Sequence, residues 1–425
     1  MPEKLKLAAG AKKKLSREDL IYDWAEAGPR RFTATHRVEL NDETLRDGLQ
    51  SPATIDPAGE IKVEILHLMD KLGIETANVG LPGAGSRQRQ ATELLCREIA
   101  DHRLRIRPNC AGRTVKADVE PMVELSQKSG VEVEACLFTG ASPIRQYTES
   151  WTLDEILQRT RGAIAFAVGE GLPVMFVTED TVRSSPEHLR RLLTAAVEEG
   201  ARRVCLCDTV GGAIPEGVSN LVSWVKVLLD GLGSAVGIDW HGHRDRGLDM
   251  ANTLAAIQAG ATRVHGTAMG LGERAGNTPM EQILVNLKLL GLRDDDLTHL
   301  PQYVETVSQA LGVPLPINAP VVGRNAFRTA TGVHAAALIK AMRKGDAWLA
   351  DWVYSGVPAS WMGRDQEIEV GFMSGTSNVI YYLESRGWPH GAEVVDAVLA
   401  KAKQSARLLT EEDIRQVIDE VVAEG

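Results

Sequence analysis

"EEGARRVCLCDTV", residues 198–210, carries the pattern that decides the fold. A stretch with helical periodicity runs into Gly200, and a short buried-type run follows at once, ending on Asp208 and Thr209. Glycine at that join is the residue a helix end takes when its cap must turn left-handed. The same join recurs in "KLGIETANVG" (71–80), "KSGVEVEACLF" (128–138), "GEGLPVMFVTED" (169–180) and "QAGATRVHGTAMG" (258–270), which puts Gly73, Gly130, Gly171 and Gly260 in equivalent places. "HRVELND" (36–42), "LRIRPNC" (104–110) and "AVGIDWHGH" (235–243) bring the strand candidates to eight, separated by helical segments such as 59–72, 186–199 and 247–259. Eight strand–helix alternations are the count of a (β/α)8 TIM barrel. A doubly wound open sheet would also alternate, but no GxGxxG follows the first strand. The expected architecture is α/β: an N-terminal arm (1–34), a barrel (35–295), and a linker with a smaller, mainly helical C-terminal unit (296–425). The proline-rich "LGVPLPINAPVVG" (311–323) reads as the connector, and Thr410 and Asp413 suit the start of a last helix.

Composition narrows the function. The 425 residues are 44% hydrophobic and 24% charged, with a formal net charge of −10. That balance, without a basic stripe outside the arm, argues against nucleic acid. No apolar run is long enough for a bilayer, and the first twenty residues lack the apolar core of a secretory signal, so a cytoplasmic protein is expected. Five cysteines (Cys96, Cys110, Cys136, Cys205, Cys207) without CxxC spacing fit reduced thiols.

In a barrel of this kind the loops after the strands build the site. Arg46 and Asp47, in "NDETLRDGLQSP" (41–52), follow the first strand. Glu179 and Asp180 end the fifth, Asp208 and Thr209 the sixth, and His241 and His243 the seventh. Residues i and i+2 of a strand face the same way, so both imidazoles reach one point. Two histidines and a carboxylate suit a divalent transition metal with positions left open. The plain alternative is an exposed HxH pair, weakened by the charges gathered at the same barrel end. "MGLGERAGNTP" (269–279) is either a tight turn or a wrap for a phosphate or a thin pantetheine arm. The two thiols of "CLC" (205–207) read as small residues filling the interior. His334 alone reads as a capped or core histidine, and His67 and His102, without polar company, as structural.

Taken together, "LNDETLRDGLQSP", "DWHGHRDRGLDMANTLAAIQAGATRVHGTAMGLGERAGNTP", "VTEDTVRSS", "DTVGGAIPE", "VGRNAFRTATGVH" and "VGFMSGTSNV" resemble the DRE-TIM metallolyase superfamily, above all its Claisen-condensing isopropylmalate, homocitrate and citramalate synthases. The resemblance implies that acetyl-CoA, or a related acyl-CoA, loses a methyl proton and attacks the ketone of a 2-oxo acid. Hydrolysis then gives free CoA and a 2-alkylmalate-type product. It assigns a divalent metal (Mn, Mg, Zn or Co) to Asp47, His241, His243 and Asn277, and it lays Arg46 over the ketone oxygen. Gln50, Asn78, Arg113, Arg145 and Thr209 match the oxo-acid pocket, and Gly272, Glu273, Arg274 and Gly276 the CoA-side loop. Glu179 matches an acid near the thioester. His334 matches a second-domain histidine that assists proton transfer, which implies a homodimer with this unit reaching a partner's barrel.

There are departures. Thr329 and Ala330 replace a His and a Glu of the HESGIH pattern, Asn78 stands where isopropylmalate synthases carry Glu, and Arg145 where a His is common. Losing an acid and gaining an arginine predicts a more cationic pocket and a 2-oxo acid with a polar or anionic distal end. The chain after Asn378 is too short for a leucine-sensing regulatory domain, so no leucine feedback is expected. The rivals are a lyase of the 3-hydroxy-3-methylglutaryl-CoA type, a hydroxy-oxo-acid aldolase and a silent homologue. Such lyases carry a cysteine in the loop after strand eight, and "MGLGERAGNTP" has none.

Overall fold

Eight short parallel strands close on themselves in sequence order: β1 (Glu39–Asp42), β2 (Thr76–Asn78), β3 (Arg107–Arg113), β4 (Glu134–Gly140), β5 (Val174–Glu179), β6 (Arg203–Asp208), β7 (Gly237–Gly242) and β8 (Arg263–Gly266). Closure comes from β1 and β8, where Leu40 lies opposite Val264. The chain therefore forms the (β/α)8 barrel that its sequence predicts, each strand starting inside one of the eight quoted segments, with β3 and β4 running two or three residues past theirs. The computed structural model describes residues 17–25, 27, 32–233 and 235–424. From His36 onward they make one compact unit. Before it, the described residues include a helical turn, Arg17–Leu20, and an edge-on contact of Tyr22 with Trp24; residues 1–16, 26 and 28–31 of the expected arm lie outside the described residues.

The junction glycines behave as predicted. Gly73, Gly130, Gly171, Gly200 and Gly260 have φ between 70° and 120°, a region that costs a residue with a Cβ. Capping is equally local at the other helix ends: Thr152 exchanges hydrogen bonds with Glu155 in a capping box.

Alternate strand residues point to opposite sides. Leu40, Leu137, Phe176, Leu206, Trp240 and Val264 are fully buried, as are Ile65, Ile164, Leu192, Val222 and Ile257 of the helices around them. Each such side chain contributes about 1.5–3 kcal/mol by leaving water. The inward side is unusually polar. Arg263 Nε lies 2.5 Å from Asp239 Oδ2, and its other end is 2.7 Å from Glu134 Oε2. Arg203 Nε takes the second Asp239 oxygen at 2.5 Å. Burial alone would raise the Asp239 carboxyl, but the two guanidinium groups outweigh it and hold it far below its ordinary range.

Helix Leu300–Leu311 belongs to the barrel layer, because the Tyr303 hydroxyl donates to Asp42 Oδ2 at 2.5 Å. Beyond it lie a two-stranded parallel pair, Arg328–Thr329 with Glu367–Ile368, and helices Gly332–Arg343, Thr376–Glu384, Ala392–Gln404 and Glu411–Glu424. Val370, Val379, Leu383, Val398 and Ile414 form a small core of their own. Asp413 N–H donates to Thr410 Oγ1 and the Asp413 carboxylate accepts in return from Thr410 N–H, so the last helix starts where its sequence says.

Two buried carboxyls make stability depend on pH. Burial raises Asp42 to about 6 and Glu281 to about 7, from ordinary values of 3.8 and 4.5. Each then binds its proton more tightly folded than unfolded, so its stabilisation is full below about pH 4 and is lost as pH rises through 6 to 7. A Gln at position 281 keeps the acceptor for Met269 N–H, 3.0 Å from Glu281 Oε2, without the charge. The Glu281→Gln protein should melt no lower than its parent at pH 8 and close to it at pH 5. A clear loss of melting temperature at pH 8 would show that the ionised carboxylate stabilises the fold.

Candidate functional site

The chain leaves β1 in a tight turn, with the N–H groups of Arg46 and Gly48 both donating to the Glu43 carbonyl. This turn sets Glu43, Arg46 and Asp47 around the barrel mouth. Arg46 is clamped: Nε lies 2.9 Å from Glu43 Oε2, a terminal nitrogen 2.6 Å from the same oxygen, and the other 3.3 Å from Gln50 Oε1. That arginine nitrogen is also 3.8 Å from Asp47 Oδ2.

Asp47 Oδ2 faces both histidines of β7's end, 3.2 Å from His241 Nε2 and 3.8 Å from His243 Nε2. The loop after β8 folds back onto this point. His243 pairs with Asn277 as an isolated bridge, and Thr278 N–H donates to the Gly242 carbonyl. The Gly-rich segment is thus a tight turn, and its closeness is strict: a Cβ on Gly276 would strike the Gly270 carbonyl, and one on Gly272 would strike Asn277 and meet Asp47 Oδ1. His243 Nδ1 lies 3.1 Å from the Gly276 carbonyl, so it carries the hydrogen and leaves Nε2 as a lone pair.

One donor from each of Asp47, His241 and His243 lies within 4.8 Å of the others. Asp47 Oδ1 and Asn277 Oδ1 are buried without a hydrogen-bond partner. Orphaned acceptors are costly, and the Asp47 oxygen beside two imidazole nitrogens belongs to a donor set that a divalent cation satisfies. Electrostatics agree with this. Burial opposes the Asp47 charge, yet Arg46, His241 and His243 keep it ionised far below its usual range. Burial and the neighbouring His241 lower His243 to about 4, which leaves it neutral as a ligand must be.

Behind this centre stand further charged residues, among which the sequence does not single out Glu43, Asp239 and His265. Glu43 is held at about 2, burial being outweighed by Arg46 and His265. His265 lies 2.9 Å from Asp239 Oδ2 through Nε2 and 3.3 Å from His241 through Nδ1. Asp180 joins three loops: its N–H donates to Thr209 Oγ1, and its carboxylate accepts from Ser142 and Arg183. The period-two rule applied to the "HGH" pair would have found Asp239 and His265 as well, since Asp239, His241 and His243 alternate along β7 and Arg263 and His265 along β8.

These groups line a cavity of about 320 Å³ at the C-terminal mouth. Arg46, Asp47, Gln50, Asn78, Glu179, Thr209, His241, His243, Glu273 and Arg274 all border it. Asn277, Gly272 and Gly276 stand directly behind. Its opposite wall is apolar, with Cys136, Phe138, Met175, Val177, Cys205 and Cys207. The cysteines are interior filling as expected, and burial pushes the Cys136 and Cys205 thiols well above their ordinary range.

Besides Asn277, Gly272 and Gly276, three more predicted residues are not in this lining. Arg113 makes a two-pronged pair with Asp118 at 2.8 Å on each arm. Arg145 turns to Glu149 at 3.1 Å and Glu179 at 3.3 Å. These two acids match its charge. His334 is exposed on helix Gly332–Arg343 and stacks on Tyr354 at 4.1 Å.

Fold and site define a class: a parallel eight-stranded barrel with a carboxylate–bis-histidine centre at its C-terminal mouth. A family model described as HMGL-like matches residues 37–307. The chain belongs to that family, and with it to the DRE-TIM superfamily of the Claisen-condensing synthases. It is 32% identical to a homocitrate synthase of Methanopyrus kandleri, over 86% of this chain and 87% of the relative. It is 31% identical to a 2-isopropylmalate synthase of Sulfolobus acidocaldarius, over 83% and 86%. The fold is similar to that of the HMG-CoA lyase of Bacillus subtilis, with a TM-score of 0.56, 24% identity, and coverage of 66% of this chain and 95% of that one.

Proposed function

We propose that the protein condenses acetyl-CoA, or a related acyl-CoA, with a 2-oxo acid, releasing CoA and a 2-alkylmalate-type product. The observation that carries this reading is the orphaned oxygen of Asp47 among His241 and His243 in a cavity that also holds Arg46, with a second orphaned oxygen on Asn277, the residue bridged to His243. A divalent cation (Mn, Mg, Zn or Co) held by these four residues would supply Lewis-acid polarisation of the oxo-acid carbonyl. The relatives named as synthases support the same chemistry.

The chain's own groups have definite tasks in this reading. Arg46, fixed by Glu43 and Gln50, presents a permanent positive charge where negative charge develops on the ketone oxygen. Being clamped beforehand, it needs no reorganisation during the reaction. Asp239 holds the Nε2 hydrogen of His265, which fixes His241 in turn and orients it as a ligand. Thr209 and Asn78 offer polar contacts for the carboxylate end of the oxo acid. Its side chain faces the wall of Cys136, Met175 and Cys207, which favours a short uncharged group at that end. Glu273 and Arg274 flank the CoA side, where Arg274 is braced by Asp245 at 2.8 Å. Glu179 stands beside the thioester.

His334 is proposed to complete the site of a second copy. It is exposed, outside its own chain's cavity lining, and next to exposed Val333. A mixture of Asp47→Asn and His334→Gln proteins should then regain up to about a quarter of parental activity, because one site in a mixed dimer is intact. A mixture of inactive components that stays inactive would place His334 in its own chain's site, and a fully active His334→Gln protein would place it outside the reaction.

The substrate test is a panel of 2-oxoisovalerate, pyruvate, 2-oxoglutarate, oxaloacetate and phosphonopyruvate with acetyl-CoA, products identified by mass. A short uncharged acid should win. Cleavage of 3-hydroxy-3-methylglutaryl-CoA, with no condensation product from any acid, would replace the synthase reading by the lyase.

A further inference from the structure

Helices Gly59–Lys71 and Ser86–His102 are neighbours in the outer layer of the barrel. The first presents His67, and the second presents Glu98 and His102 one turn apart, on one face. His67 Nε2 lies 2.6 Å from Glu98 Oε1, and His102 Nδ1 lies 2.9 Å from the same oxygen. The two rings meet edge to face, with centroids 5.7 Å apart. One donor atom from each residue lies within 4.8 Å of the other two. Nothing in the local sequence shows this, because His67 and Glu98 are 31 residues apart. The histidines read as structural from sequence thus have a carboxylate in common.

The geometry points to a second transition-metal site, formed by His67, Glu98 and His102, that ties these two helices together. Ligand atoms about 2.0–2.1 Å from a tetrahedral zinc sit roughly 3.3–3.5 Å apart. The present separations therefore need to open by less than about 1 Å, within reach of small side-chain rotations. Glu98 is mostly buried at 17% exposure and His67 is at 32%, so the ligands are partly held in place, while His102 at 58% leaves room for water on the ion. Two imidazoles and one carboxylate select Zn2+, Ni2+ or Cu2+ and disfavour Mg2+, which takes oxygen ligands. None of the three residues borders the mouth cavity, so the site stands apart from the proposed reaction and does not depend on it.

The test is a calorimetric titration of the metal-stripped full chain with Zn2+, and with Mg2+ as control. The Asp47→Asn protein should keep one zinc equivalent. Adding His67→Gln, or separately His102→Gln, should remove it or weaken it at least about tenfold. Zn2+ should raise the melting temperature of Asp47→Asn and leave that of Asp47→Asn/His67→Gln unchanged. Both glutamine substitutions fall at partly exposed positions, and melting without metal checks their folding. Zinc binding that disappears entirely with Asp47→Asn, or that neither glutamine variant alters, overturns the site.

Discussion

Asp47→Asn should lose its catalytic-centre metal and about a thousandfold or more in kcat/KM, equivalent to roughly 4 kcal/mol of transition-state stabilisation. The carboxylate is the one anionic member of a set otherwise made of neutral imidazoles and an amide, so its charge draws the cation into a buried place. Folding should survive. Arg46 keeps its stronger partner Glu43, at 2.6 Å against 3.8 Å for Asp47, and an asparagine oxygen still fits beside His241. The metal-free variant is therefore expected to melt within a few degrees of the metal-free parent, while only the parent gains stability from the ion at this site. Metal binding measured beside circular-dichroism melting separates the two effects. Unchanged activity in Asp47→Asn would remove the centre from the reaction.

Arg46→Gln should damage both activity and fold. Glu43 is 1% exposed, and its carboxylate would lose the guanidinium that balances it. Leaving one buried charge of a broken pair costs about 3–5 kcal/mol, and removing a preorganised positive group from the reacting oxygen costs about a hundred- to a thousandfold in rate. The two losses can be separated. Arg46→Gln/Glu43→Gln removes the unpaired charge as well, so it should regain much of the stability while staying inactive. The pH profile gives a further mark. In the parent, Glu43 is depressed to about 2, so its contribution is present above its unfolded pKa and lost as pH falls from about 4.5 toward 2. That acid-side loss should shrink in Arg46→Gln. A double variant as unstable as the single one would show that Arg46 acts on something other than Glu43.

The barrel was legible because its signals are local. Five of the helix-to-strand joins carry their own glycine and side chains alternate along a strand, so Gly200 with "VCLCD" is readable without knowing what lies across the barrel. The mouth was legible for a related reason. Asp47 sits in a turn that closes within eight residues, and His241 and His243 share a face by strand geometry alone. What failed was pairing at a distance. Arg145 has the charge of a substrate clamp, but its guanidinium is ion-paired with Glu149 and Glu179, the latter from the next strand. Arg113 is taken by Asp118, five residues on, a pairing that period arguments do not weigh. His265 was passed over because a single histidine in a buried strand looks like packing until Asp239 and Glu43 are seen on either side.

The central claim is that acetyl-CoA and a 2-oxo acid meet at the Asp47–His241–His243 centre. Free-thiol release, followed in metal-stripped protein with Mn2+ added back, tests it most directly. Thiol should appear only when protein, Mn2+, acetyl-CoA and one preferred 2-oxo acid are all present, with one oxo acid consumed per thiol. No thiol with any acid of the panel, or release as fast without an oxo acid, would contradict the condensation.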